Sequence, residues 1–179
     1  FPVKTILSGP AAGVIAATRL AGESGFNHVI TYDMGGTSLD VALVTDGKPY
    51  VTGSAELSFG IPVQMTMLDI QTIGAGGGSI AQLDGRQMLQ IGPESAGAHP
   101  GPACYNQGGT LPTVTDANLI LGRINPEKPI GGKDRNPLDV TRSQSAIREH
   151  VAIPLGLSID EAASAVLSVA NNRMAGSLR

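Results

Sequence analysis

Two apolar runs, Val29-Ile30-Thr31-Tyr32 and Val41-Ala42-Leu43-Val44, bracket the octet Asp33-Met34-Gly35-Gly36-Thr37-Ser38-Leu39-Asp40. Short runs rich in β-branched and aromatic residues on either side of a glycine turn predict a β-hairpin. Strands are expected over 29–33, 40–45 and 50–54, with Asp46-Gly47 as the turn between the last two. Upstream, the small residues after Ser8-Gly9-Pro10 predict a helix over 11–24, with Ser8 or Gly9 as its cap and the proline in its first turn. Loose alternation over 61–69 predicts a further strand. Ile80–Leu83 and Gln87–Ile91 flank Asp84-Gly85, a second hairpin signal. From Gly92 to Leu111 neither period is present, so an ordered loop is expected; loops of that length in compact domains are functional or disordered.

Downstream the period lengthens. A short helix over 115–121 is expected with Thr115 as its cap, followed by a Gly/Pro-rich linker over 125–137. Asp139 or Thr141 caps a helix ending near Val151. Ser158-Ile159-Asp160-Glu161 is a capping box, and it opens a helix with Ile159, Ala162, Ala163, Val166, Ala170 and Met174 on one face, a core stripe. Hairpins first and helices later predict a mixed α/β domain, hairpin-rich over 1–91, looped over 92–112 and helical over 113–179.

Composition narrows the function classes. The 179 residues can bury a real core. A net charge of −3 with no basic stripe lacks the footprint of a nucleic-acid binder. No apolar run approaches the length of a membrane span, and no secretory signal is visible. One cysteine cannot form an internal disulfide and fits a reducing cytoplasm. Glycine supplies 24 residues, roughly 13% against a usual 7% or so. The excess gathers in the motifs rather than at a fixed period.

Those motifs carry the candidate chemistry. Gly35 and Gly36 permit positive φ and leave their N–H groups unobstructed; Thr37 and Ser38 add hydroxyls. Such a ring of donors suits phosphate oxygens, and Asp33 and Asp40 suit Mg²⁺, the cation that accompanies nucleotide phosphates. Gly-Gly between strands is equally an ordinary hairpin turn. Asp33 ends an apolar strand, where a buried carboxylate needs a partner or a metal, and is the candidate catalytic and metal-organising residue. Asp40 either shares the metal or caps the turn. Gly74, Gly76, Gly77 and Gly78, between Ile73 and Ile80, form a second glycine loop able to approach a ligand. His99 reads as a surface or hydrogen-bonding residue, Cys104 as a buried structural thiol. Asp116 and Asn118 read as helix-capping, with a substrate or metal role open.

A helix followed by a strand–Asp-x-Gly-Gly-Thr–strand hairpin resembles the second phosphate motif of the actin/Hsp70/sugar-kinase ATPase superfamily. The resemblance sharpens over Ser8 to Val14, Asp33 to Asp40, Ile73 to Ala81, Gly92 to Tyr105 and Pro112 to Leu119, which are similar in order and spacing to the hydantoinase A/5-oxoprolinase family. It implies an incomplete actin-like (ribonuclease H-like) ATPase lobe, a mixed sheet with flanking helices. It further implies ATP and Mg²⁺ as cofactors, opening of a cyclic amide such as a hydantoin or 5-oxoproline, and a hydantoinase B-type subunit or domain as partner. ATP-dependent ketone carboxylation and a non-catalytic Hsp70-like ATPase switch are the alternatives. Family members carry an earlier Asp-x-Gly-Gly-Thr motif and a later Gly-Gly-Ala-Gly-Pro segment that do not occur here. An internal stretch of a longer chain, inactive alone and weak in ATP binding, is therefore expected.

Overall fold

The structure, a computed structural model, describes residues 7–53, 55–57, 61–63, 66–128 and 137–176. They divide into two units, one made of residues up to Met34 together with Leu39–Ile73, the other of Gly35–Ser38 with the chain from Gly74 onward. Each is a mixture of helix and antiparallel strand, the mixed α/β composition expected.

In the first unit, α1 (Ser8–Glu23) precedes β1 (Val29–Met34) and β2 (Leu39–Thr45). The two strands pair antiparallel with Val29 opposite Val44 and Asp33 opposite Asp40. β2 is central: it also pairs with β3 (Lys48–Pro49) and β8 (Ile70–Ile73), and it buries Leu39, Val41, Ala42 and Val44. Pairing on both edges satisfies its backbone groups, and of its apolar side chains only Leu43 is exposed. Asp46 and Gly47 both take positive φ, 54° and 70°, as a two-residue hairpin turn demands. Two-stranded pairs link β4 (Val51–Thr52) to β7 (Met67–Leu68) and β5 (Ala55–Leu57) to β6 (Ile61–Val63). The strand expected over 50–54 is thus reduced to Val51–Thr52, because Tyr50 uses its N–H on Leu43 and its carbonyl on Asp69; Ser54 lies outside the described residues, as do 64–65 within the strand expected over 61–69. Neither Ser8 nor Gly9 caps α1. Leu7 stands at that position in the left-handed region with no side-chain cap.

The second unit joins the β9 (Ser79–Leu83) and β10 (Leu89–Ser95) hairpin to α2 (Val114–Ile120), α3 (Val140–Ile147) and α5 (Ile159–Gly176). β10 starts later than expected because Asp84 gathers the turn: its carboxylate accepts the N–H groups of Arg86 and Met88 and the Gln90 amide. It then runs on through a register shift to Ser95, so the loop expected from Gly92 begins after that residue. The stripe on α5 is core as expected. Ala162, Ala163, Val166, Ala170 and Met174 are buried and Leu167 joins them, while Ile159 is half-buried. The helix expected to end near Val151 instead passes through a wide turn over 148–152 into α4 (Ile153–Leu155). Pro154 is tolerated in the first turn of α4, and Gly156 at φ 65° ends the helix. Residues 129–136 of the expected linker and 177–179 after α5 lie outside the described residues.

The helix starts are set by carboxylates. Asp139 caps α3 through the N–H groups of Thr141 and Arg142, and Ser158 and Glu161 close the expected capping box of α5. The Thr141 hydroxyl, then the Arg142 N–H, holds Asp139 below its ordinary 3.8; the Ser158 hydroxyl, then its N–H, holds Glu161 below 4.5. Lowered folded values mean that these caps are at full strength above the unfolded pKa and are lost as pH falls through the folded one. An NMR titration should accordingly give Thr141 and Arg142 amide midpoints below 3.8; midpoints at or above that value would disprove the cap.

Candidate functional site

Residues Gly35–Ser38 connect β1 to β2, and the Gly35 N–H donates to the Ser38 carbonyl at 2.9 Å. Neither Gly35 nor Gly36 takes a positive φ, so the expected conformational reason for the glycine pair does not apply. Close approach applies instead. The Gly77 N–H donates to the Gly35 carbonyl at 3.0 Å and the Gly78 N–H to the Gly36 carbonyl at 2.6 Å. A Cβ on Gly76 would stand 2.7 Å from three backbone atoms of Gly36 and Thr37; one on Gly78 would stand 2.9 Å from the Gly36 carbonyl oxygen. Only glycines let the two backbones lie this near.

This contact orients the turn. In a trans peptide the C=O and the following N–H point in opposite directions. The Gly35 and Gly36 carbonyls face Gly77 and Gly78, so the N–H groups of Gly36 and Thr37 face the other way, side by side. Among the described residues neither they nor the Ser38 N–H donate to a protein acceptor. Gly36 and Thr37 are exposed and Ser38 is half-buried. Adjacent free N–H groups beside two hydroxyls are a donor set of the kind that suits an anion.

The second glycine loop is differently employed. The Gly76 N–H goes to Ser79 Oγ at 2.8 Å, and those of Gly77 and Gly78 are spent on the turn. On its other side, Thr115 gives both its N–H and its hydroxyl to the Gly77 carbonyl, and the Ala96 N–H goes to that of Gly78. This loop buttresses the turn. Gly74 is exposed, and a Cβ added to it would meet nothing within 4 Å. Ser79, Ala96 and Thr115, which do the fastening, were not legible as site residues, since each acts through contacts distant in sequence.

In the first unit, Asp33 is exposed rather than buried. The burial argument for a partner therefore fails, although a Cβ on Gly13 of α1 would stand 3.9 Å from its carboxylate. Asp33 and Asp40 are direct cross-strand partners, a like-charge pairing that costs stability without a cation. Asp40 does not cap the turn: Thr72 of β8 donates its hydroxyl to Asp40 Oδ1 at 2.6 Å. Among the described residues no group of three or more His, Cys, Asp or Glu side chains forms a metal cage. Mg²⁺ is usually held by one or two carboxylates plus substrate phosphates, and this pair fits that donor set.

The other candidates settle into the scaffold. The cap of α2 is Thr113, not Thr115, which is free to hold Gly77; Thr113 and Asp116 form a full capping box. Asp116 is fully buried. It accepts five hydrogen bonds, from the N–H groups of Ala103, Cys104 and Thr113 and the hydroxyls of Thr113 and Ser143. Asn118 bonds back to the Val114 carbonyl. Cys104 is buried in a cluster with Leu119 and Leu138; burial, then the Asp116 charge, pushes its thiol far up, so it is no nucleophile. His99 is exposed.

Relatives share these segments. The chain is 43% identical over 180 residues to the caprolactamase subunit alpha of Pseudomonas jessenii, covering 99% of this chain and 25% of that one. It is 41% identical over 177 residues to the acetophenone carboxylase gamma subunit of Aromatoleum aromaticum, covering 98% and 24%. The crystal structure of ATP-dependent caprolactamase from Pseudomonas jessenii superposes with a TM-score of 0.85 at 43% identity, over 96% of this chain and 24% of that one. The chain thus spans about a quarter of the length of these relatives. No single described helix is long and apolar enough to cross a membrane. The family profile described as hydantoinase/oxoprolinase matches residues 1–179 without a gap at either end, and the chain belongs to that family.

Proposed function

We propose that the chain is part of the ATP-binding region of an ATP-dependent amidohydrolase that opens cyclic amides, with its Gly35–Ser38 turn as the phosphate loop. The observation that carries this reading is the adjacent pair of free N–H groups on Gly36 and Thr37, turned outward by the bonds from Gly77 and Gly78. The ATP dependence and the lactam named for the caprolactamase relative support the class of reaction. Gly36 and Thr37 would bind phosphate oxygens through N–H, with the Thr37 and Ser38 hydroxyls adding donors. Gly76, Gly77 and Gly78 act through the turn rather than on the nucleotide, and Gly74 is the weakest of the expected contacts.

Asp33, with Asp40, would hold Mg²⁺, which supplies charge neutralisation during phosphoryl transfer. ATP would supply a phosphoryl group to activate the amide carbonyl towards water, while the Gly36 and Thr37 N–H groups would hold its phosphate oxygens in place. An actin-like ATPase lobe is the fold this reading implies. A hydantoinase B-type partner would complete the active site, which accords with relatives named as subunits, and the cytoplasm is the expected compartment.

The test uses the full chain with its partner. Hydrogen bonds to charged groups are worth about 1.5–3 kcal/mol, so Thr37→Ala is expected to weaken ATP binding about tenfold or more. Asp33→Asn should remove most ATP-dependent turnover while leaving the fold intact. ATP affinity unchanged in the first variant, and near-normal turnover at limiting Mg²⁺ in the second, would sink the phosphate-loop assignment. Turnover of caprolactam, hydantoin or 5-oxoproline, against acetone with bicarbonate, separates the amidohydrolase from a ketone carboxylase.

A further inference from the structure

The stretch from Ser95 to Leu111 takes no part in the phosphate turn, yet it is firmly built. Its two limbs, residues 95–101 and 108–111, line with Ile80 of β9 an open cavity of about 320 Å³, with His99, Pro100, Gly108, Thr110 and Leu111 exposed at its rim; that volume is at the small end of the range of roughly 300–1,000 Å³ for ligand pockets. The first limb folds back on itself, the Gly101 N–H donating to the Ala96 carbonyl at 3.1 Å, and glycine lets the second limb lie close against it. A Cβ on Gly101 would stand 2.8 Å from the Tyr105 ring, and one on Gly109 would run into the Gly101 carbonyl.

The lining is of two kinds. Ile80, Pro100 and Leu111 supply an apolar wall, and Ser95, His99 and Thr110 stand among them. Ser95 Oγ accepts the Gly97 N–H at 3.1 Å, which leaves its own O–H to give. Among the described residues no acceptor takes the Ser95 or Thr110 hydroxyl or the His99 ring. No Asp, Glu, Lys or Arg lines the cavity. A wall of this kind suits a short apolar body bearing an oxygen that accepts hydrogen bonds.

The cavity is also separate from the phosphate donors. Gly78 lies between Gly36 and Ala96, bonded to each through one backbone hydrogen bond. Two such spacings of about 4.8 Å put the Ala96 backbone roughly 10 Å from Gly36. The free N–H groups of Gly36 and Thr37 point away from Gly78, and so away from the cavity.

We propose that this cavity is a second small-molecule site, taking a ligand with a carbonyl or carboxylate oxygen on a short apolar ring or chain. A neutral lactam and a short-chain carboxylic acid share that chemistry.

Calorimetry on the full chain, with δ-valerolactam and pentanoate as probes in the presence of a saturating non-hydrolysable ATP analogue, tests this. At least one probe is expected to bind. Leu111→Trp, which fills the cavity, and Thr110→Val, which keeps the side-chain shape and removes the hydroxyl, should each weaken it tenfold or more. The affinity for the ATP analogue should stay within twofold. The probe that binds identifies the ligand as amide or acid. Absence of saturable binding by both probes overturns the proposal, and so does binding that neither substitution alters. Because the cavity is probed with the nucleotide site already occupied, absence of probe binding by the wild-type chain with ATP binding intact overturns this site alone. Loss of ATP binding by the wild-type chain overturns the phosphate-loop reading instead.

Discussion

Gly76→Ala is expected to cost about 1–3 kcal/mol of stability, the usual range for overpacking a tight contact, and to remove most ATP-dependent turnover of the full chain. The added methyl would meet the Gly36 carbonyl carbon and oxygen and the Thr37 nitrogen, each at 2.7 Å. These are backbone atoms, with no flexible side chain to yield. Nor is the glycine needed for its own conformation, since its φ lies outside the left-handed region; the whole effect is contact. Gly77 and Gly78, bonded to the same turn, must move with it, and the N–H pair of Gly36 and Thr37 loses its alignment. The control is Gly74→Ala, where nothing lies within 4 Å and the change should stay within about 0.5 kcal/mol. Denaturant melts and ATP titrations on both variants check this. Equal behaviour of the two would mean that the close approach of the loops is not what shapes the turn.

Asp116→Ala should be the most destabilising single change, at roughly 3–5 kcal/mol. The carboxylate lies fully buried and receives five donors at 2.7–3.2 Å. These come from the turn at Ala103 and Cys104, from the start of α2, and from α3. Removing it leaves three N–H groups and two hydroxyls without an acceptor in a dry interior, where each unsatisfied group costs about 1–3 kcal/mol before relaxation. Asn is no rescue, because its NH₂ would point donors at donors. A second readout follows from Cys104, whose thiol is held protonated by burial and by the Asp116 charge. In Asp116→Ala that thiol should react with a maleimide in native buffer, where the parent is inert. A melt within about 1 kcal/mol of the parent with an unreactive Cys104 would show that the network is not what pins this loop.

Most of the secondary structure was readable locally, because its signals are local. The hairpin over β1 and β2, the Asp46-Gly47 turn, the capping box at Ser158 and Glu161 and the stripe of α5 each depend on residues a few positions apart. The misread boundaries are those that a distant partner sets. Tyr50 leaves the strand pattern because Leu43 and Asp69 take its backbone groups. Thr115 is not a cap because Gly77, 38 positions away, takes its hydroxyl.

Candidate site residues divide in the same way. The order of Asp33, Gly35, Gly36 and Thr37 between two apolar runs was enough to mark a glycine hairpin turn and, with four further segments, to point to the family. What the linear order could not state is which groups of that turn are free. The Gly74–Gly78 loop and the turn look alike as glycine clusters. Only in three dimensions does one spend its N–H groups on the other, so that one becomes the support and the other the donor. Asp33 was expected to need a partner because it ends an apolar strand; strand alternation does not reveal whether that end is covered, and it is exposed. Composition and short-range pattern thus determined the elements, the family and the chemical character of the turn. Tertiary structure decided the direction of its N–H groups, the structural use of Asp116 and Cys104, and the cavity beside Ser95, because hydrogen-bond partnership and exposure belong to pairs of segments that the chain brings together only on folding.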